Sequence, residues 1–276
     1  MLLILFAIGL GLGVVINSLA DNLPPDAEDH RYPPRWPSCR QCGQPHSGPY
    51  VLALAGLLLR RGRCEHCGAR RPWRPVLVEL AAGVSLGYAW VWASQPAATA
   101  LEFAARFAAA SAVLLIFLLV VVIDVEHRLI LWSVVLPAAI ILAVLGSLAP
   151  GHGVLKTLAG GAAGYAITLA IFLMAELFAR LLQKLRGQPL AEVAFGGGDV
   201  NLAALVGLAA GWPGVILALT IAILAGGLYS LGYVVVQLFR RRYEPFSALP
   251  YGPFLVLGAL VIFFYGKELA AAWLGS

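Results

Sequence analysis

The sequence predicts an all-α integral membrane protein, on the basis of its composition, its hydropathy and its lack of strand patterns. Of the 276 residues, 61% are hydrophobic and only 12% are charged, and the mean hydropathy is +0.85. A soluble globular domain has about 25% charged residues. No segment shows the ten-residue alternation of a transmembrane barrel. We therefore expect residues 1–276 to form one polytopic membrane domain built from helices.

Eight apolar segments account for this expectation, since most approach the roughly 20 residues that a helix needs to cross a bilayer. They cover about residues 1–19, 75–93, 107–124, 129–147, 157–179, 199–212, 214–238 and 249–266. The first resembles a signal peptide in length, but no charged residue precedes Asp21, so it lacks the basic start of one. The sequence thus predicts about eight transmembrane helices.

The basic residues indicate how these helices are oriented. Sixteen of the 19 Lys and Arg residues lie in four of the connecting segments, including nine Arg within 20–74. Because basic loops face the cytoplasm, these four segments are predicted to be cytoplasmic and both termini to face outward. The +5 net charge is then explained by the membrane topology. It does not indicate a nucleic-acid partner, since no basic stripe alternates with aromatic residues.

Residues 20–74 form the one long hydrophilic segment, and residues 75–276 are expected to form a helical core. The segment holds all four cysteines, in two Cys-x-x-Cys-Gly pairs: Cys39, Cys42, Cys64 and Cys67. Thiolates at this spacing can surround one Zn²⁺, and four cysteines close its shell, so the metal would be structural. A redox pair and unpaired thiols are the alternatives, although a reducing cytoplasm disfavours disulfides.

Other ligands are less favoured. His46 and His66 are spare and are expected to face solvent. A zinc peptidase is not indicated, since the chain has no His-Glu-x-x-His helix. No internal repeat is evident, and the small residues of 160–164 predict close helix packing.

Two aspartates lie at the edges of apolar segments, Asp124 after a run of valines and Asp199 after Gly196, Gly197 and Gly198. A carboxylate at such a place is costly, and it marks a functional site by default. The predicted topology puts both on the cytoplasmic side. The structural alternative is that each aspartate only marks the membrane interface or pairs with His127 or Arg128.

Two neighbouring carboxylates cannot easily both ionise, so one keeps a proton. The charged group then activates a water molecule and the neutral group protonates a carbonyl oxygen, which suits peptide hydrolysis. Asp199 begins a helix and Asp124 ends one, so the helix dipoles favour the charge on Asp199. The glycines would let the backbone approach the substrate closely.

These residues carry a resemblance to a known family. Residues 195–199 fit the G-x-G-D motif of intramembrane aspartic proteases, with Gly197 as x, and their surroundings resemble bacterial type IV prepilin peptidases. Asp124 followed by Glu126 and Leu136-Pro137 resembles the first aspartate motif of that family. Residues 14–24 and 249–255 look like its opening and closing segments.

The resemblance implies an enzyme of the bacterial inner membrane that cuts the basic leader from type IV prepilins and pseudopilins. Residues 37–42, 62–67 and 74–80 look like the bifunctional members, which also methylate the new amino terminus with S-adenosylmethionine. The site of the methyl donor stays unknown, and Glu79 and Glu126 are candidates that also suit a structural role.

Two other classes remain open at this stage. A proton-coupled transporter would also place carboxylates within the membrane, with the zinc loop as a staple. A membrane scaffold with a partner-binding zinc loop would leave both aspartates unexplained. The sequence does not give the pilin substrate, the oligomeric state or the aspartate that carries the proton.

Overall fold

A computed structural model describes residues 1–24, 37–39, 41–60, 62–95, 99–148, 153–186, 196–240 and 250–274. In these ranges the chain forms α-helices, one 3-10 turn (Gly48–Val51) and two isolated β-bridges, with no strand. The helices are α1 (Leu2–Asn22), α2 (Ala53–Arg60), α3 (Arg74–Ala93), α4 (Ala100–His127), α5 (Trp132–Leu148), α6 (Gly153–Arg186), α7 (Gly197–Ala210), α8 (Gly214–Phe239) and α9 (Gly252–Leu274). The predicted all-helical fold is confirmed.

Each of the eight apolar segments coincides with one helix, and α2 is an additional helix that hydropathy did not predict. Six helices are long and apolar enough to cross a membrane: α1, α3, α4, α6, α8 and α9. The other two apolar helices are shorter, with 17 residues in α5 and 14 in α7. A multi-pass membrane protein is thus supported, while the number of eight crossings stays a prediction.

The described residues divide into two compact units, Met1–His127 and Arg128–Ser276. The first contains the hydrophilic segment and α1 to α4, and the second contains α5 to α9. The expected organisation as one membrane domain with a loop at residues 20–74 stays a prediction.

In the first unit, α1 and α3 touch through their backbones. A Cβ atom built on Gly9 would lie 2.5 Å from the Cα of Gly83, and one on Gly13 would lie 2.5 Å from the Cα of Glu79. Four residues after Gly13 in α1, the Asn17 amide donates a hydrogen bond to the carbonyl oxygen of Pro75 at 3.0 Å. Small residues at these positions therefore allow the two helices to pack closely.

An arginine joins the ends of three helices in this unit. Arg74 at the start of α3 contacts Asp21 at 2.6 Å, and its Nε lies 2.9 Å from Oε1 of Glu126. The end of α1, the start of α3 and the end of α4 therefore lie at one end of the unit, as the predicted order of crossings requires.

In the second unit, α7 is the central helix. Nine of its 14 residues are buried, and it contacts α5, α6, α8 and α9. A Cβ on Gly160 of α6 would lie 2.3 Å from the carbonyl oxygen of Gly207, and one on Gly164 would lie 2.3 Å from that of Ala203. The close helix packing predicted for residues 160–164 is confirmed.

The outward faces of the helices carry large apolar side chains. Leu155 of α6 and Leu228 of α8 are 82% and 73% exposed. Scattered exposed leucines are normal in soluble proteins, but long helices with leucine on their outer faces are typical of membrane spans. Hydrocarbon, not water, is the solvent that suits these surfaces.

Candidate active site and zinc-binding site

Asp124 lies in the last turn of α4 and is 5% exposed. The residues before it, Val122 and Ile123, are also buried. The helix continues past the predicted end at residue 124 and stops at His127, because Arg128 adopts a left-handed conformation with φ of 54°. Such a residue commonly follows the end of a helix. The carboxyl group is thus held by a helical backbone among apolar neighbours.

Asp199 is the third residue of α7, in the second unit. Its backbone N–H donates to the carbonyl oxygen of Gly196 at 3.0 Å, and the N–H of Gly196 donates to Oδ2 of Asp199 at 3.1 Å. This is the side-chain half of a capping box, in which an acidic residue binds the N–H of the residue before the helix. Asp199 therefore stabilises the start of α7, and its side chain is only partly buried.

The three glycines before Asp199 differ in how much space surrounds them. Gly196 has φ of −89°, a value that any residue adopts. A Cβ on Gly197 would meet no atom within 4 Å, whereas one on Gly198 would lie 3.0 Å from the Cβ of Ile130. Only Gly198 is required by close packing, and the open space at Gly197 agrees with the predicted approach of a substrate. Residue 195 lies outside the described residues.

The four cysteines converge on one point, as predicted. Their Sγ atoms all lie within 4.8 Å of one another, with 3.8 Å between Cys39 and Cys67 and 4.0 Å between Cys42 and Cys64. None forms a disulfide. A tetrahedral Zn²⁺ with Zn–S bonds of about 2.3 Å separates its sulfur ligands by about 3.8 Å. The cluster therefore fits a zinc ion with a closed shell.

The two cysteine pairs, which the sequence shows as two Cys-x-x-Cys-Gly patterns, have the same backbone structure and are structural repeats of each other. Cys39 N–H donates to the carbonyl oxygen of Gln44 at 3.0 Å, and Cys64 N–H donates to that of Ala69 at 2.8 Å. The isolated bridges, Ser38 with Pro45 and Arg63 with Arg70, recur at the same 25-residue offset. Between residues 37–47 and 62–72 only the cysteines and the glycine after each pair are identical at this offset, so the sequence does not show how far the structural match extends.

A glycine after each pair allows the turn under the metal. Gly43 and Gly68 have φ of 70° and 71°, in the left-handed region that favours glycine. Each donates its N–H to the carbonyl oxygen of the first cysteine of its pair, at 2.8 Å and 3.1 Å. The Cys-x-x-Cys-Gly pattern thus encodes the local backbone directly.

The protein alone does not stabilise four thiolates. Burial raises the pKa of Cys39 to about 12. Burial also opposes ionisation of Cys64, but hydrogen bonds from the backbone of Cys67 and His66 lower its pKa to about 7. The N–H of His66 lies 3.4 Å from the Cys64 Sγ. Because metal ligation requires deprotonated thiols, a divalent cation would supply the charge that the cluster lacks.

Neither histidine belongs to the group of four ligands. His66 is exposed as predicted, but His46 is buried, so the expectation that it faces solvent was wrong. Burial and the charge of Arg71 lower the pKa of His46 to about 4, so the ring is neutral. His46 and Arg71 are equivalent in the two repeats, since their N–H groups donate to Pro37 and Gly62.

Glu79 has a structural role, which the sequence left open beside a role in binding the methyl donor. Its side chain is 1% exposed, and its Oε1 and Oε2 accept the N–H groups of Ala53 and Leu54 at 2.7 and 2.9 Å. Both oxygens are therefore engaged at the start of α2. Glu126 contacts Arg74 as described above, and its Oε2 lies 3.8 Å from Nε2 of His127.

A small cavity lies beside the cysteine pairs. Its volume is about 70 Å³, whereas pockets for small molecules have about 300–1,000 Å³. The residues that line it are Asp21, Ser38, Cys39, Gln41, His46, Ala69, Arg70, Arg71, Pro72 and Pro75. The cavity is too small for a molecule the size of S-adenosylmethionine.

Known proteins resemble this chain over most of its length. A "Prepilin leader peptidase/N-methyltransferase" of Stutzerimonas stutzeri is 26% identical over 239 residues, covering 86% of this chain and 74% of that protein. Proteins of the same name from Burkholderia pseudomallei (strain K96243) and Bacillus subtilis (strain 168) are 30% and 24% identical. The match to the Burkholderia pseudomallei protein covers 83% of this chain and 67% of that protein, and the match to the Bacillus subtilis protein covers 99% of this chain and 98% of that protein. No solved structure shows a significant match.

Two family models also match. Residues 7–93, which include the four cysteines, match the Bacterial Peptidase A24 N-terminal domain. Residues 111–231, which include Asp124 and Asp199, match the Type IV leader peptidase family. The transporter alternative receives no support from these matches. The sequence and its relatives together show that the chain belongs to the type IV leader peptidase family.

Proposed function

We propose that this protein is a membrane aspartic endopeptidase that removes the leader from type IV prepilins and pseudopilins. The observation that carries the proposal is the match of residues 111–231 to the leader peptidase family. This region contains Asp124 and Asp199, which both lie in apolar helices. The relatives named prepilin leader peptidase/N-methyltransferase support the choice of substrate.

In the proposed mechanism, Asp199 is the charged base and Asp124 carries the proton. The N–H of Gly196, at 3.1 Å from Oδ2, and the start of α7 both stabilise a negative charge on Asp199. Asp124 lies in the last turn of α4, where the helix dipole disfavours charge. Asp199 takes a proton from water, which attacks the scissile carbonyl, and Asp124 donates its proton to the carbonyl oxygen.

The proposed dyad combines Asp124 and Asp199, which both lie in the region that matches the leader peptidase family. Because coupled carboxyl groups titrate as a pair, the location of the proton would be tested by site-resolved infrared spectroscopy. A proton on Asp199 would exclude the assigned roles.

Cleavage of a prepilin tests the dyad directly. Asp124→Asn and Asp199→Asn should each abolish cleavage by purified enzyme, as measured by mass spectrometry of the prepilin, because an amide cannot act as base or acid. Glu102→Gln is the matched control, since Glu102 lies at the other end of α4 and pairs with Arg106. Cleavage retained in either Asn variant would exclude the proposed mechanism.

The zinc ion is proposed to be structural, held by Cys39, Cys42, Cys64 and Cys67. When bound, the ion supplies a cross-link between the two repeats through four thiolates. It takes no part in the peptidase step, because the shell has no open position for water or substrate. Elemental analysis of the purified protein should find one zinc ion per chain, and a chain purified without zinc would contradict the assignment.

Methylation of the new amino terminus is proposed from the names of the relatives alone. The cavity beside the cysteine pairs does not fit the methyl donor, and Glu79 is engaged with backbone groups. We therefore assign no residue to this step. Incubation of a prepilin with the enzyme and S-adenosylmethionine, followed by mass spectrometry, would separate cleavage alone from cleavage with methylation.

The active site is proposed to face the cytoplasm, because 16 of the 19 basic residues lie in the predicted cytoplasmic segments. The meeting of Asp21, Arg74 and Glu126 at one end of the first unit supports this order of crossings. Reporter fusions after residues 148 and 186 test the orientation. The reporter should be periplasmic in the first fusion and cytoplasmic in the second, and the reverse result would overturn the topology.

A further inference from the structure

The short helix α2 has an arrangement that does not suit water. Its first N–H groups, those of Ala53 and Leu54, donate to the buried carboxylate of Glu79, and its buried positions hold the small residues Ala53 and Gly56. Its large residues Leu58 and Leu59 are exposed. A helix on the surface of a soluble domain turns its large apolar residues inward.

The exposed leucines of α2 form an apolar surface. Leu58 is 75% exposed and Leu59 is 62% exposed. At the start of α3, against which α2 packs, Trp73 and Leu77 are 67% and 62% exposed. Exposed apolar residues of this kind mark contact with a membrane or with another protein, and α3 is long and apolar enough to be a membrane span.

The contact with Glu79 places the start of α2 near one end of α3. Glu79 is five residues from Arg74, where α3 begins, which is about 7.5 Å along the helix axis. Because α3 is long and apolar enough to span a membrane, a helix beside its end suits the membrane interface, where amphipathic helices bury their apolar face.

The flanking residues agree with this placement. The sequence continues from Leu59 into Arg60, Arg61 and Arg63. Basic residues next to an apolar helix are attracted to anionic headgroups. Tryptophan is enriched at the same level of the membrane, which suits the exposed Trp73.

We propose that α2 lies in the membrane interface, with Leu58 and Leu59 inserted among the lipid chains. The occupant of this apolar surface is the bilayer, as indicated by the contact of α2 with the α3 span through Glu79 and by the basic residues that follow α2. The helix connects the two cysteine pairs in the sequence, so its insertion holds the zinc-binding repeats against the membrane surface. The inference concerns lipid contact and stands independently of the peptidase activity.

A photoreactive probe tests lipid contact in the full-length protein. Leu58→p-benzoyl-Phe, reconstituted in lipid nanodiscs and irradiated, should give lipid adducts detected by mass spectrometry. Gln44→p-benzoyl-Phe is the control, because Gln44 is an exposed polar residue of the first cysteine pair and lies outside α2. Lipid adducts should be present at position 58 and absent at position 44.

A second position guards against a local effect of the probe. Leu59→p-benzoyl-Phe should also give lipid adducts, and both variants should unfold at the temperature of the unmodified protein. Crosslinks from positions 58 and 59 to another copy of the chain, or no lipid adduct at either position, would overturn the proposal.

Discussion

At the scale of single residues, Glu79 and Asp199 each accept backbone N–H groups at the start of a helix. They differ in how many of their carboxylate oxygens these bonds occupy. Both oxygens of Glu79 are engaged by the backbone of α2. Asp199 uses Oδ2 for the N–H of Gly196 and remains partly exposed. The same local chemistry therefore gives a structural carboxylate in one place and leaves a candidate for catalysis in the other.

Glu79→Ala should destabilise the protein by about 3–6 kcal/mol, since each of two hydrogen bonds to a charged group contributes about 1.5–3 kcal/mol. Glu79→Gln should cost less, because its amide oxygen still accepts one N–H. Chemical unfolding in detergent measures both effects. Glu176→Gln is the control, since an exposed pair such as Glu176 with Arg180 contributes about 0.5 kcal/mol. Equal losses in the Ala and control variants would show that the cap of α2 is unimportant.

At the scale of elements, α7 depends on small residues in α6 for its central position. The backbones of the two helices meet at Gly160 and Gly207. This contact leaves no room for a Cβ atom, and it fixes the helix that begins with Asp199. The position of Asp199 at the start of α7 therefore depends on the contact of Gly207, near the other end of the same helix, with Gly160.

Gly160→Ala should destabilise the second unit by about 1–3 kcal/mol, because the added methyl forces the two backbones apart. Gly227→Ala in α8 is the matched control, since a Cβ there meets no atom within 4 Å. That change should be neutral or stabilising by up to about 1 kcal/mol. Thermal unfolding in one detergent compares them, and equal stabilities would contradict the observed contact.

At the scale of the whole molecule, the four cysteines sit in the part of the chain with little regular structure. The repeats are held by a few backbone hydrogen bonds, one of which joins the N–H of Gly62 to the carbonyl oxygen of Gly56 in α2. A small hydrophilic segment without a large core generally needs a metal or a disulfide for stability. The zinc ion would supply this cross-link.

Removal of zinc should unfold residues 37–71 while the long apolar helices remain folded, because their hydrogen bonds are internal. Hydrogen exchange after treatment with a chelator, and in Cys39→Ser, should show loss of protection in the repeats alone. Gln44→Ala is the control, since only its backbone oxygen contacts Cys39. Unchanged protection after complete zinc removal would mean that the repeats fold without metal.

The sequence by itself determined the eight apolar helices and the convergence of the four cysteines, and it singled out Asp124 and Asp199 as candidates. Apolar runs specify membrane helices because every backbone group must be satisfied within lipid, and Cys-x-x-Cys-Gly specifies a local turn at Gly43 and Gly68. Even the close contact at Gly160 could be predicted from the spacing of small residues.

Only the tertiary structure decided which polar groups meet. Ala53 and Glu79 are 26 residues apart, and Asp21 and Arg74 are 53 residues apart. No periodicity in the sequence records such pairs, so neither the cap of α2 nor the role of Glu79 could be predicted. The same is true of the cysteine repeat, since it is defined by backbone hydrogen bonds that few shared side chains reveal. Local patterns depend on residues that are neighbours in the sequence, whereas these contacts form only when distant segments of the chain pack together.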